Sequence, residues 1–314
     1  MEKKNAMIKR SIWISLVLVA TIGLSVSAGE ANEKKAKKGQ TKTAVAGIPA
    51  FADAPTELYK TVGDVKLYLH VVTPEGFKAS DKRPAIVFFF GGGWNGGSPK
   101  QFEEHCRYLA SRGMVAMAAD YRVKSRNGTS PRECVQDGKS AVRWIRANAA
   151  RLGIDPERIA AGGGSAGGHV AAATGTLEGL DEPGEDTSVS GKPNALVLFN
   201  PVYDNGPDGY GYERVKDYYR EISPLDNIRP GTPPTIVFLG TEDKLIPVAT
   251  AEKYEAKMEA AGSRCDTHLY EGQPHGFFNH GRGDGRCYRD TVYKMDNFLA
   301  SLGYLEGKPT IPME

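Results

Sequence analysis

Half of the ten-residue stretch AAGGGSAGGH, at positions 160–169, is glycine, and one serine lies among the glycines. Glycine destabilises the interior of a helix or strand, so this composition favours a sharp, strained turn. Gly163–Gly167 matches the pattern Gly-x-Ser-x-Gly, in which the turn exposes the serine hydroxyl. An exposed hydroxyl of this kind can attack a carbonyl carbon once a base removes its proton. Ser165 is therefore the candidate nucleophile.

Two further side chains complete the chemistry, because a serine needs a base and the base needs an orienting acid. Asp243 lies in TEDKLIP, where Glu242 is the weaker alternative. His275 lies in QPHGFFNH, where the alternative is His280. A proline and a glycine flank His275 and fix the loop that carries it. The chain order Ser, Asp, His is the order found when this turn lies at the top of an open α/β sheet.

A glycine loop supplies the fourth part, a site for a developing negative oxygen. FFFGGGWNGG places Gly91, Gly92 and Gly93 directly after an apolar run. Their N–H groups have no side chains to block an approaching oxygen. We expect Gly92 and Gly93, together with the N–H of Ala166, to form this oxyanion hole, in which one donor is typically worth roughly 3 kcal/mol.

The elements that must position these groups are strands alternating with helices. β-branched and aromatic residues mark the short buried strands, and glycine or proline borders them. The predicted strands are 65–74, 84–90, 114–121, 158–163, 195–200, 235–240 and 267–272. The intervening helical patterns end mostly at glycines, as at Gly113 and Gly153. Such alternation predicts a mostly parallel sheet flanked by helices, and each candidate group follows its own strand.

One region breaks this alternation. Residues 178–223 are rich in Gly, Pro, Asp and Tyr, and they contain a single predicted strand. A connection of this length is typical of a lid or binding loop, although a surface insertion is the alternative. We expect Trp94, which follows the glycine loop, and Tyr203, in this segment, to contact the substrate.

The N-terminus has a different composition. Residues 1–28 have a basic start, an apolar run and small residues before Ala28, the layout of a secretory signal peptide. An uncleaved anchor is the alternative. A polar, lysine-rich linker follows at 29–50, and 51–314 form the predicted catalytic domain. We therefore expect a secreted or periplasmic protein with no membrane contact after cleavage.

Charge is also uneven along the chain. Residues 1–42 contain nine Lys or Arg and three Asp or Glu, so the remainder has 31 basic and 35 acidic residues. The slight basic excess therefore belongs to the leader and linker. The core shows no signature of nucleic-acid binding.

Four cysteines in an exported chain permit two disulfides. We favour a bond between Cys265 and Cys287, which flank one loop, with free buried thiols as the alternative for Cys106, Cys134 and the other two. No Cys/His spacing indicates zinc.

The four motifs FGGGW, GGGSAGGH, GTEDKLIP and GQPHGFFN together resemble the α/β-hydrolase superfamily. They are similar to its esterase/lipase group, close to the hormone-sensitive-lipase-like and acetylxylan/feruloyl-esterase-like bacterial enzymes. The resemblance covers roughly residues 57–303. The family's glycine loop usually begins His-Gly-Gly, and Phe90 replaces that histidine here.

The resemblance implies an α/β-hydrolase fold and a serine esterase with a covalent acyl-enzyme and no metal or organic cofactor. It implies Ser165 as nucleophile, Asp243 as acid and His275 as base. Small acyl esters, such as the acetyl esters of polysaccharides, would then be the substrates. Two alternatives are a prolyl-oligopeptidase-like peptidase, for which no propeller-sized segment precedes residue 57, and a catalytically inert binding module.

Overall fold

A single eight-stranded sheet organises the part of the chain that the computed structural model describes, residue 51 and residues 54–313. The strand order is β1-β2-β4-β3-β5-β6-β7-β8; β2 runs antiparallel to both of its neighbours, β1 and β4, and every other neighbouring pair is parallel. The strands are β1 (Thr56–Val62), β2 (Val65–Val72), β3 (Arg83–Phe89), β4 (Val115–Ala119), β5 (Ile154–Gly164), β6 (Ala195–Phe199), β7 (Thr235–Gly240) and β8 (Cys265–Tyr270). The mostly parallel α/β sheet expected from the sequence is confirmed.

Eight α-helices and two short 3₁₀-helices connect the strands in this described part. The α-helices are α1 (Glu103–Ser111), α2 (Lys124–Asn127), α3 (Pro131–Ala147), α4 (Ala166–Thr176), α5 (Tyr212–Val215), α6 (Tyr219–Ile222), α7 (Val248–Ala260) and α8 (Arg286–Ser301). The 3₁₀-helices are Pro99–Phe102 and Pro224–Asn227. A capping box of Ser130 and Glu133 begins α3, with proline at its first position. The helix ends at Ala147, before the turn that Gly153 completes with a φ of 58°.

Side chains from the sheet enter two hydrophobic clusters, one on each face. Val87 and Phe89 pack with residues of α3, α4 and α7, whereas Ile86 and Phe88 pack with α1 and α8. The alternation follows from the two-residue period of a strand, and burial of each large side chain is worth about 1.5–3 kcal/mol. Both faces of the sheet are thus covered, and the carboxyl edge of the parallel strands is left for a site.

The predicted disulfide between Cys265 and Cys287 is wrong, since all four cysteines are free. Cys265 begins β8 and packs into the cluster with α7, whereas Cys287 packs into the cluster with α8, on the opposite face. Cys287 also lies beside Tyr270, at the other end of β8. Five residue steps along a strand span about 16 Å, and a disulfide tolerates about 7 Å between Cα atoms.

Residues 178–223 divide into two parts, separated by β6. The first part lies along α3, where Asp181 accepts from Arg143 and Glu182 pairs with Arg122. The second part, after β6, contains α5 and α6, and its Arg214 donates to the carbonyl of Gly93. The second part therefore contacts the glycine loop.

Among the described residues, no helix has the length and apolar character needed to cross a bilayer. The predicted signal peptide at 1–28 and linker at 29–50 lie outside the described residues.

Candidate active site

Ser165 occupies the turn between β5 and α4 with a left-handed backbone, φ 55° and ψ −121°. For a residue with a side chain, such a conformation costs about 1–3 kcal/mol, and surrounding contacts must hold it. Its N–H donates to the carbonyl of Phe199 at 3.0 Å, and its carbonyl accepts from the N–H of Val202 at 3.1 Å. The hydroxyl therefore stands at the carboxyl edge of the sheet, where the sequence motif predicts it.

Close packing explains the glycines on both sides of this serine. A Cβ on Gly164 would lie 2.5 Å from Cζ of Phe278, and one on Gly167 would lie 2.0 Å from the carbonyl oxygen of Phe89. Both distances are too short for any side chain. The glycines let α4 start directly against β3, which places the turn next to the glycine loop.

His275 joins the serine to a carboxylate. Its Nε2 lies 2.9 Å from Oγ of Ser165, and its Nδ1 lies 2.6 Å from Oδ2 of Asp243. The side chain of Asp243 is fully buried, whereas that of His275 is 23 % exposed. The structure thus brings together the three side chains that the sequence singles out, with the imidazole facing the open edge.

The second oxygen of Asp243 is held by backbone. Oδ1 accepts from the N–H groups of Leu245 and Ile246 at 2.8 and 3.0 Å, so the carboxylate cannot rotate away from the histidine. Asp243 does not cap α7, whose N-cap is Pro247. The alternative acid Glu242 is exposed on the same loop.

The alternative base His280 lies elsewhere, with its exposed ring packed edge-on against Tyr288 at 4.9 Å. Within the described residues, His275 is the histidine in hydrogen-bond contact with Ser165.

Asn200 is a site residue that the sequence analysis missed. It follows β6, is fully buried, and has a φ of 33°. Its Oδ1 accepts from the N–H of Gly276 at 2.9 Å, and its Nδ2 lies 3.4 Å from Nε2 of His275. A polar residue that ends the buried run ALVLFN was the available signal, because a strand's carboxyl end faces the site.

The glycine loop follows β3, next to β5 in the sheet. The N–H of Gly91 donates to Oε1 of Gln101 at 2.6 Å, and Nε2 of Gln101 donates to Oδ1 of Asn279 at 2.9 Å. Among the described residues, the N–H groups of Gly92 and Gly93 have no such partner. The N–H of Ala166 opens α4, where a helix has no internal acceptor. These three donors thus remain available to an oxygen beside Ser165.

Phe90, at the family's usual histidine position, packs in the core. Its ring stacks on Tyr121 with centroids 4.2 Å apart, and the Tyr121 hydroxyl donates to the Phe90 carbonyl. The substitution therefore leaves a loop that is supported by aromatic packing.

The two predicted substrate contacts are not supported. Tyr203 is fully buried and stacks on Tyr254 at 4.6 Å, so its ring has no face open to a ligand. Trp94 is 2 % exposed, and its Nε1–H donates to Nδ1 of His169 at 3.2 Å. Both aromatic rings are part of the core beneath the site. The sequence shows that these residues are aromatic, but it does not show whether their rings are buried by packing or open to a substrate.

His169 has a supporting position, as its place in the first turn of α4 suggests. Nδ1 accepts from Trp94, so Nε2 carries the proton and donates to the carbonyl of Ile222 at 2.9 Å. Burial lowers the pKa of His169 to about 4, because no water solvates the charged ring. It is therefore a neutral link between the glycine loop and the segment after β6.

Within residues 54–313, no group of three or more His, Cys, Asp or Glu side chains is arranged to hold a metal ion.

Two family models match the chain, BD-FAE over residues 69–204 and the dienelactone hydrolase family over residues 209–301. Esterase LipC of Mycobacterium tuberculosis (strain ATCC 25618 / H37Rv) is 31% identical over 222 residues, which are 62% of this chain and 53% of that protein. An acetylxylan esterase of Xylanibacter ruminicola is 26% identical over 62% of this chain and 40% of that protein. The chain thus matches about half the length of these curated relatives.

Solved structures match over a longer span. The apo form of Thermogutta terrifontis esterase 2 has a TM-score of 0.80 and is 47% identical, over 83% of this chain and 98% of that one. The propionate-bound form of the same esterase has a TM-score of 0.77 and is 46% identical, over 81% and 96% of the two chains.

Proposed function

The chain belongs to the α/β-hydrolase esterases, and from that premise we propose that it hydrolyses carboxylic esters through Ser165, His275 and Asp243. The observation that carries the proposal is the continuous contact from Oγ of Ser165 through both ring nitrogens of His275 to Asp243, at 2.9 and 2.6 Å. The first distance allows a proton to pass from Oγ to Nε2 during the attack, and the second lets Asp243 orient the imidazole and stabilise its protonated form.

In the first half of the reaction, Oγ of Ser165 attacks the ester carbonyl carbon while Nε2 of His275 takes the hydroxyl proton. The carbonyl oxygen becomes negative and is held by the N–H groups of Gly92, Gly93 and Ala166. The C–O bond to the alcohol then breaks, and the imidazolium returns its proton to the leaving oxygen. An acyl group remains on Ser165.

In the second half, water attacks the acyl carbon and gives a proton to Nε2 of His275. The second tetrahedral intermediate collapses, the proton returns to Oγ of Ser165, and the carboxylic acid leaves. Asp243 stays ionised throughout and stabilises the imidazolium. The reaction uses only these side chains and backbone donors.

Ser165→Ala tests the proposal. We expect kcat on nitrophenyl acetate to fall about 10⁶-fold, the scale seen when a triad nucleophile is removed. Ser111→Ala is the matched control, since that exposed hydroxyl donates to the Tyr108 carbonyl far from the loop and should leave turnover unchanged. Normal turnover in Ser165→Ala, or a folded wild-type protein that neither hydrolyses esters nor reacts with a fluorophosphonate, would reject the proposal.

We propose that the acyl group is small, from acetyl to butyryl. Support comes from the solved relative, Thermogutta terrifontis esterase 2, whose structures include propionate-bound and butyrate-bound forms. A series of nitrophenyl esters of increasing acyl length tests this directly. We expect kcat/KM to peak at two to four carbons, and a peak at eight or more carbons would contradict the proposal.

An acetylated polysaccharide is the natural substrate that we propose. One relative is an acetylxylan esterase, and the segment after β6 presents Tyr212 and Tyr219, partly exposed and edge-to-face at 5.6 Å. Aromatic faces of this kind suit sugar rings better than the buried Tyr203. We expect acetate release from acetylated xylan, and Tyr219→Ala should reduce it without changing nitrophenyl acetate hydrolysis. Equal loss on both substrates would argue against a sugar platform.

We further propose that residues 1–28 act as a cleaved export signal. N-terminal sequencing of the protein expressed in a bacterial host tests this. A mature chain that begins near position 29 in the exported fraction is expected, and an intact chain in the membrane fraction would indicate an anchor.

A further inference from the structure

Three consecutive carbonyl groups in and after the glycine loop, those of Gly92, Gly93 and Trp94, each accept a hydrogen bond, and one of these bonds differs from the other two. The carbonyl of Gly92 accepts from the N–H groups of Asn95 and Gly96, and that of Trp94 accepts from the N–H of Lys124. The carbonyl of Gly93 instead accepts from Nη1 of Arg214, at 2.8 Å. The loop is thus tied to a charged side chain from the segment after β6.

Arg214 makes further contacts around the same point. Its guanidinium carbon lies 5.1 Å from the centre of the Trp94 ring and 5.2 Å from that of Tyr210. The Tyr210 hydroxyl lies 3.0 Å from the position that a Cβ on Gly93 would take. The buried Asn205 donates from Nδ2 to the Tyr210 carbonyl at 3.2 Å, which anchors this assembly to the core.

The loop needs support at this point because of its backbone. Gly92, Gly93 and Trp94 have φ angles of 132°, 62° and 57°, so three consecutive residues have positive φ. The left-handed region is disfavoured by roughly 1–2 kcal/mol for a residue with a side chain such as Trp94. Glycine can rotate freely at Gly92 and Gly93, so none of the three residues by itself prefers the observed turn.

We propose that Arg214 is a positioning residue that holds Gly93 so that the N–H groups of Gly92 and Gly93 point at the oxyanion. This inference rests on the proposed esterase function. The tie to the Gly93 carbonyl fixes the peptide that follows Gly93, and the stack on Trp94 fixes the next residue. Release of the tie lets the donors turn away from the point where charge develops.

The charge of Arg214 serves no ion pair in the described part of the chain, where no Asp or Glu oxygen lies within 4 Å of it. Its directed contact is the neutral carbonyl. A lysine at this position keeps the positive charge but lacks the planar group that can donate to Gly93 and stack on Trp94 at once. Arg214→Lys should therefore be more active than Arg214→Ala and less active than the wild-type protein.

The test compares Arg214→Ala and Arg214→Lys with the control Lys216→Ala, an exposed residue next to α5 that pairs with Glu213. We expect kcat on nitrophenyl acetate to fall about 10- to 100-fold in Arg214→Ala, up to the cost of a group misplaced by about 1 Å and less than the roughly 10²- to 10³-fold cost of losing an oxyanion donor outright. KM should stay within about threefold, because the lost contact matters mainly in the transition state. Lys216→Ala should match wild type.

A second measurement separates positioning from general damage. Affinity for a trifluoromethyl ketone, which mimics the tetrahedral intermediate, should weaken across the variants in proportion to kcat/KM, while the melting temperature stays close to wild type.

Unchanged kcat in Arg214→Ala would overturn the inference. A rise in KM at constant kcat would also overturn it, because such a change marks a group that binds the substrate and the transition state equally well. A fall in kcat without weaker ketone binding would also overturn it. A wild-type protein without ester turnover would instead refute the proposed function itself.

Discussion

Two networks of polar side chains lie partly or wholly inside this molecule. In one network every charged group has a partner of opposite charge, and we call it closed; the other ends in groups that are free to bind a ligand, and we call it open. On the flank of the sheet, Lys60 and Arg122 contact Asp137 and Glu182 at 2.7–2.8 Å, so that two positive and two negative groups satisfy one another. At the carboxyl edge, the chain of contacts ends at the Ser165 hydroxyl and at backbone donors without partners.

The comparison shows how carboxylates and nitrogen-bearing side chains can stabilise the fold in one place and take part in a reaction in another. A closed network with matched charges exchanges no proton with a ligand, and it joins β1, α3 and the first part of the 178–223 segment. In the open network, the Ser165 hydroxyl and several backbone N–H groups face outward, and the imidazole that contacts the hydroxyl is partly exposed. Burial and completeness of partners therefore distinguish the two more clearly than residue type does.

The largest effect that we expect from breaking the open network is on rate. His275→Ala should lower kcat about 10⁶-fold, because loss of the base disables the whole triad, and it should barely change stability. Ester turnover and thermal unfolding of the same preparation measure both.

The control for this variant is His280→Ala, which removes an exposed histidine five positions further along the chain. It should retain wild-type kcat. Comparable loss in both variants would mean that the loop, and not proton transfer, determines the rate.

Breaking the closed network should lower stability and leave the rate of ester hydrolysis nearly unchanged. Asp137→Ala leaves Lys60 and Arg122 buried with one carboxylate between them, so the free energy of unfolding should fall by about 3–5 kcal/mol. Turnover by the folded fraction should stay within about twofold of wild type. Urea unfolding and activity below the transition measure the two quantities.

Asp155→Ala is the matched control, because its pair with Arg158 is partly exposed and should be worth less than about 1 kcal/mol. Loss of turnover in Asp137→Ala without loss of stability would show that the flank network takes part in chemistry, contrary to the comparison.

His105 is a buried polar side chain that belongs to neither network, and it shows a third situation. Within the described part of the chain, neither ring nitrogen of this fully buried side chain has a hydrogen-bond partner, and burial lowers its pKa to about 3. The unfolded chain therefore binds a proton below about pH 6.5 that the folded protein does not. Stability that is present at neutral pH is lost as the pH falls from about 6.5 towards 3.

His105→Phe removes this proton-linked penalty and keeps an aromatic ring among Phe88, Phe102 and Tyr288. Relative to wild type, the variant should gain about 2 kcal/mol more at pH 5 than at pH 8. Unfolding by urea at the two pH values measures the gain. Phe102→Leu, which titrates nothing, should change stability equally at both, and an equal shift for His105→Phe would contradict the prediction.

Much of the site was predictable because its parts depend on local rules. The strands at 84–90 and 235–240 follow from short, buried β-branched runs, and the strand–turn–helix around Ser165 follows from the spacing of its glycines. Because parallel strands end at one edge, the order of Ser165, Asp243 and His275 along the chain was enough to expect that they meet. Asn200 also ends such a strand, and its polar side chain at the end of a buried run was a signal, but only the fold shows that it contacts the loop of His275.

The mistaken predictions share one cause. Whether Tyr203 presents a face to solvent, and whether Cys265 can reach Cys287, depends on which surface each side chain packs against. The 178–223 segment looked uniform in composition, yet β6 separates a part bound to α3 from a part bound to the glycine loop.

The sequence by itself determined an α/β sheet, the serine turn and the identity of three groups that could share a proton, because alternation and glycine sterics act over a few neighbouring residues. The tertiary structure alone decided that Lys60 meets Asp137, that Gln101 holds Gly91, that Arg214 holds Gly93 and that all four cysteines stay apart. Those contacts join side chains from distant positions, and their distances are set by how whole helices and loops pack on the sheet.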